Sequence, residues 1–170
     1  MSSRARHLVP TAVAALAVGV LTLSPTGADA APAAAACTGA QLGVHLGSSE
    51  GAAGTTYQTV RFRNTSSSAC TLEGFPRFVY LNADDNRIGF PAVPTGTSHA
   101  VTILPGHVAV AALGIPAYQN FPTNRCHPQQ AAAIRVTAPG THKHHRLPLA
   151  VTVCTTRFGA STSLAVRHHF

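Results

Sequence analysis

The chain has 170 residues, 45% of them hydrophobic and 10% charged, with a formal net charge of +7. That length holds one ordinary domain and leaves no room for a multidomain enzyme. So large an apolar share excludes a wholly disordered chain, and the lack of a Gly-X-Y period excludes a collagen.

The chain opens with a short basic stretch (Arg4, Arg6, His7), and Leu8 to Leu23 is then an uncharged apolar run. Ser24-Pro25-Thr26-Gly27 ends the run, and Ala28-Asp29-Ala30 supplies a small-x-small cleavage pattern. This layout predicts a secretory signal peptide over residues 1–30, cleaved near Ala30. A membrane anchor is the bland alternative, but Leu8 to Leu23 falls short of the roughly 20 residues needed to span a bilayer. Ala34-Ala35-Ala36-Cys37 looks superficially like a lipid-attachment box. Cys37 lies too far beyond Leu23 for that, and lipidating it would leave three thiols in an oxidising place. Cleavage leaves 140 residues, with ten Lys and Arg against four acids. Residues 31–36 read as a flexible leader and 37–170 as a single β-sandwich domain.

From Cys37 onward the chain reads as short strands between turn signals. Gln41–Gly47 and Thr56–Asn64 form an expected hairpin, in which Val60 and Phe62 alternate with Arg61 and Arg63. Phe78-Val79-Tyr80-Leu81 is continuously apolar, as in a strand covered on both faces. Asp84-Asp85-Asn86 reads as a hairpin turn, because Asp and Asn accept left-handed and Asx-turn geometry. Val101 with Ile103, Val108 with Val110, Ile134 with Val136, and Leu147, Leu149, Val151 and Val153 repeat the period-two pattern. Ala111 to Arg125, with Pro116 and Pro122, reads as a long loop, and its Tyr118 and Phe121 are expected either to form a binding surface or to pack the loop onto the sandwich. No later stretch has apolar residues at helical spacing over ten or more positions. About seven to nine short strands predict an all-β antiparallel sandwich or barrel.

Four cysteines in an exported chain make two disulfides, with three connectivities open. Hairpin topology puts Cys37 and Cys70 at one end and brings Cys126 near Cys154, so Cys37–Cys70 and Cys126–Cys154 are expected. A zinc site is the alternative, but no pair has the close CxxC spacing such sites usually use.

Asn64-Thr65-Ser66-Ser67-Ser68-Ala69-Cys70-Thr71-Leu72-Glu73-Gly74-Phe75-Pro76 resembles a motif of the domain-of-unknown-function 4232 family of secreted or lipid-anchored proteins from high-GC Gram-positive bacteria. Phe78-Val79-Tyr80-Leu81, then Leu104-Pro105-Gly106-His107-Val108-Ala109, then Cys126 and Cys154 follow in the family's order. The resemblance implies an immunoglobulin-like β-sandwich with two disulfides, and it implies no activity.

Three kinds of chemistry remain to be weighed. His142-Lys143-His144-His145 is a His-rich stretch outside the family pattern. On a strand His142 and His144 would share a face and bind Zn²⁺ or Cu²⁺ weakly, with His145 pointing away; no other cofactor is expected. Only Glu50, Glu73, Asp84 and Asp85 supply carboxylates after cleavage, and all four cysteines are assigned to disulfides. Catalysis by a hydrolase is therefore the weakest reading, and the chain is expected not to be an enzyme. The basic balance is the most usable hint: Arg61 and Arg63 share an outward strand face that attracts anions. An anionic cell-envelope polymer is the expected partner, with a protein the alternative. No basic run interleaves aromatics as nucleic-acid readers do. The expected place is outside the cell or on its wall.

Overall fold

The computed structural model describes residues 33–169, so the signal peptide expected over residues 1–30 lies outside the described residues. The first strands form a long antiparallel hairpin of β1 (Leu42–Ala52) and β2 (Thr55–Asn64). Ala53 and Gly54 join the strands with φ of 47° and 74°, the two positive values of a turn whose twist matches the strands it connects. In β2 the even positions Gln58, Val60, Phe62 and Asn64 are buried, as alternation requires. Short strands β3 (Cys70–Leu72), β4 (Arg77–Leu81), β5 (Arg87–Ile88), β6 (Val93–Thr95) and β7 (Val101–Ile103) follow. Then come β8 (Val108–Pro116), a single helical turn α1 (Thr123–Cys126), β9 (Pro128–Thr137), β10 (His144–Cys154), β11 (Thr162–Leu164) and β12 (Arg167–His168).

These strands make an all-β sandwich. One sheet runs β1-β2-β8-β11-β6, with β12 also on β8; the other runs β10-β9-β4-β5, and β3 pairs with β7. The described strands number twelve, more than the sequence predicts, because six of them are only two or three residues long. One pair departs from the expected antiparallel rule: β6 and β11 are parallel, with Val93 opposite Thr162. The chain visits the other sheet between them, so no hairpin dictates their relative direction.

The core lies between the sheets and is built from Val60, Phe62, Phe78, Leu113, Ile134 and Val136, all with no exposed surface. Phe78 and Tyr80 face this core, while Val79 and Leu81 join Ala133 in a second, smaller cluster, so β4 is covered on both faces as expected. Tyr80 and Ser161 share a buried 2.7 Å hydrogen bond between their hydroxyls, and burial pushes the Tyr80 hydroxyl well above its ordinary pKa. The Ser163 hydroxyl donates to the Pro76 carbonyl at 2.7 Å.

Both expected disulfides are present, Cys37–Cys70 and Cys126–Cys154. Each closes a loop of about 30 residues and so removes about 3–4 kcal/mol of unfolded-chain entropy in the loop-closure picture. The segment before Cys37, expected to be a flexible leader, is held at its end. Thr71 donates from its amide to the Ala35 carbonyl and from its hydroxyl to the Ala34 carbonyl, and Ala36 forms a parallel bridge with Thr71.

The Asn64–Pro76 motif has a physical explanation. Asn64 is fully buried, and its side-chain amide donates to the Ser68 and Ile103 carbonyls at 2.7 and 2.9 Å. Its Oδ1 accepts from the Ser66 amide and hydroxyl at 3.0 and 2.7 Å. All the hydrogen-bonding capacity of one asparagine is therefore used to fold the turn that delivers Cys70 to Cys37.

Candidate functional site

The outer face of the six-stranded sheet collects the basic residues of β2. In register, His45 of β1 lies opposite Arg61, Arg61 opposite Val110 of β8, and Val110 opposite Arg167 of β12. Arg63 stands one row further on, between Gly43 and Val108. His45, Arg61, Arg63 and Arg167 are exposed, whereas Val110 is only 6% exposed, as befits an apolar residue flanked by long side chains. Arg61 and Arg63 therefore belong to a patch of arginines that Arg167 of β12 extends.

Beside this row is a cavity of about 500 Å³, lined by Glu50, Tyr57, Thr59, His99, Leu164 and Arg167 among others. A second depression of about 260 Å³ shares Glu50, Thr59 and Arg167 with it and continues past Val110 to His168. Glu50 lies directly opposite Tyr57 in the hairpin. Tyr57 in turn lies opposite Gly114, where a Cβ would come within 3.2 Å of the ring and 2.5 Å of the Thr162 hydroxyl. Glycine at 114 thus lets the Tyr57 ring lie against the sheet backbone.

The outer face of the four-stranded sheet is basic too. Arg77, Thr137 and His144 form one row and Val79, Arg135 and Arg146 the next, with Arg87 opposite Leu81. Arg135 and Arg146 are directly opposed like charges, a destabilising arrangement. Arg146 forms an ion pair with Asp85, which sits at φ 61° in the β4–β5 turn. That turn, read from Asp84-Asp85-Asn86, is held by the Asn82 side chain, whose Oδ1 accepts from the Asp84 and Asn86 amides.

The histidine stretch divides. His142 and His144 line one shallow depression of about 250 Å³ with Phe75, Arg77 and Thr137, and His144 Nδ1 is 2.8 Å from the Thr137 hydroxyl. His145 alternates to the other side of β10 and is half-buried; burial first, then Lys143, His45 and His144, hold its pKa below the ordinary value. His168 and His169 lie elsewhere, beside Arg167. Among the described residues no group of three or more His, Cys, Asp or Glu is placed to hold a metal ion, so the stretch brings together two imidazoles rather than three.

The segment expected as a loop from Ala111 to Arg125 is corrected in its first half. Ala111 to Pro116 belongs to β8, a central strand whose continuous apolar run is covered on both sides, and Pro116 is its last residue. The other proline, Pro122, precedes α1. Tyr118 is half-buried and lines a shallow depression with Thr56, Pro116 and Val151. Phe121 packs edge-on against Phe158 at 5.5 Å, and its ring and the Cys154 sulfur both lie close to Gly159. The Arg125 guanidinium covers Phe158 at 3.9 Å, so these aromatics hold the loop onto the sandwich.

One Gly-x-Ser-x-Gly string is present, Gly47-Ser48-Ser49-Glu50-Gly51. It lies inside β1, across a register shift between Leu46 and Ser49, and runs into a hairpin turn. A nucleophile elbow needs a strand-to-helix turn, so Ser49 has no such role.

The residues that sequence reading missed are Tyr57, Glu50, His99 and Arg167. Tyr57 and Thr59 were legible, because the alternation that turns Arg61 and Arg63 outward continues back through both. Arg167 was not, since its place depends on a two-residue pairing with β8. Among the described residues, no helix is long and apolar enough to cross a membrane. No curated protein and no solved structure matches the chain. Its sequence does match the family described as Domain of unknown function (DUF4232) over residues 37–168, and the chain belongs to that family.

Proposed function

We propose that the chain is an exported, non-catalytic binding module that holds an anionic polymer of the cell envelope on the outer face of its six-stranded sheet. The observation that carries this reading is the row His45–Arg61–Val110–Arg167, with Arg63 beside it. Several exposed cations on a rigid sheet concentrate a polyanion without any single strong contact. The signal-peptide layout of residues 1–30 and the two disulfides support export. The cavity beside the row contains one carboxylate, Glu50, where glycoside hydrolysis uses two.

A second reading, weak Zn²⁺ or Cu²⁺ binding, is favoured only by the shared depression of His142 and His144. Co-sedimentation of the purified chain with cell-wall sacculi at about 0.05 and about 0.5 M salt, with and without chelator, separates the two, because screening acts on charge-driven contacts. The expected result is pelleting at low salt that fades at high salt whether or not chelator is present. Pelleting lost only with chelator shifts the function to the histidines, and no pelleting in any condition overturns the envelope reading.

A further inference from the structure

We infer that the cavity beside the arginine row is a saccharide subsite, so that the polymer held there is an acidic polysaccharide whose sugar ring stacks on Tyr57. This inference rests on the polyanion reading above and goes beyond it, because charge alone does not require a cavity. Tyr57 is 37% exposed, so part of its ring is open to a ligand. The Cδ1–Cε1 edge of its ring lies close to Gly114, and the residue lines the cavity. An aromatic ring at the wall of a cavity suits the C–H face of a pyranose ring.

The polar groups around it suit the rest of a sugar. Glu50, directly across the hairpin, accepts hydrogen bonds; Arg167 donates them; and the Thr59 hydroxyl does either. His99, from the loop after β6, completes the lining. A few convergent polar groups around an apolar surface, in about 500 Å³, are what small-ligand sites of roughly 300–1,000 Å³ usually present.

The charge pattern decides between polyanions. A carboxylate inside the cavity repels a chain that is anionic at every point, such as polyphosphate. It accepts hydroxyls from a neutral ring while the anionic group of the same ligand reaches Arg167 and, across Val110 in the same row, Arg61. The site therefore fits a ligand in which hydroxyl-bearing rings and acidic groups alternate.

The test compares two probes on the full chain: polygalacturonate, which is acidic and made of sugars, and polyphosphate, which is acidic without them. Tyr57→Ser is expected to weaken polygalacturonate binding about tenfold and polyphosphate binding less than about twofold, while Tyr57→Phe, which keeps the ring, stays within about twofold for both. An independent readout in the unaltered chain is the Tyr57 ring resonance, expected to shift with galacturonate oligosaccharides and to stay in place with polyphosphate. Equal losses for both probes, or no ring shift, overturn the saccharide subsite while leaving charge-driven binding intact. Failure of the unaltered chain to bind either probe overturns the underlying polyanion reading instead.

Discussion

On the six-stranded sheet Arg167 lines a cavity with Tyr57 and Glu50, and Arg61 and Arg63 continue the basic patch beside it. On the four-stranded sheet they stand among the apolar side chains of Val79, Leu81 and Ala133, and one of them is paired with Asp85. Both faces arise in the same way, from strands whose alternate positions point outward, and both carry the same sign of charge. The neighbours make the difference. An arginine whose stem covers a buried valine and whose head faces another arginine serves largely as packing. An arginine at the rim of an open groove keeps its donors for a ligand. Counting basic residues cannot distinguish these roles; the side chains on the adjacent strands do.

The sharpest way to break this contrast is to strip one face at a time. Changing Arg61, Arg63 and Arg167 together to Ser is expected to weaken anionic-polymer binding about 100-fold at low salt, at about 1 kcal/mol for each cation near an anionic surface. Changing Arg77 and Arg87 to Ser should cost less than about threefold. Equal losses in a co-sedimentation titration would mean that both faces bind and that the groove is incidental.

Stability measurements sharpen the same contrast from the other side. Arg135→Met keeps an apolar stem over Val79, Leu81 and Ala133 and removes the repulsion with Arg146, so unfolding in urea should require about 0.5 kcal/mol more. Arg61→Met, opposite His45 and Val110, should bring no such gain. A destabilised Arg135→Met would show that the guanidinium itself, and not its stem, holds that face together.

The smallest expected effect lies where β10 turns His145 back among Lys143, His45 and His144. Burial and these neighbours lower the folded-state pKa of His145 below the unfolded value of about 6.5. The unfolded chain then takes up the proton more readily than the folded one, so this contribution is complete above about pH 6.5 and is lost as the pH falls through the folded value. His145→Gln should therefore flatten the decline in urea midpoint between neutral pH and about pH 5. An unchanged slope would place the acid sensitivity elsewhere.

Local pattern explains which parts of the fold were legible. Period-two alternation in Thr56–Asn64 identified β2 and its outward arginines, and the continuous run Phe78–Leu81 identified a strand covered twice. The two disulfides followed from hairpin ends, because a strand's length and its turn decide which cysteines meet. Ala111–Pro116 was misread because its prolines were weighed above its apolar residues. Pro116 ends the strand and Pro122 precedes α1, so neither interrupts the ladder.

By itself the sequence determined an all-β domain with two staples and a pair of arginines on one strand face. All of these follow from neighbours within a strand, a turn or a closing loop. Tertiary structure alone decided that Arg167 returns from the chain's last residues to stand across Val110 from Arg61, and that Gly114 lies under Tyr57. It also decided that Arg135 and Arg146 meet. Those juxtapositions depend on register between strands distant in sequence, which is set by how the whole core packs and not by any local period.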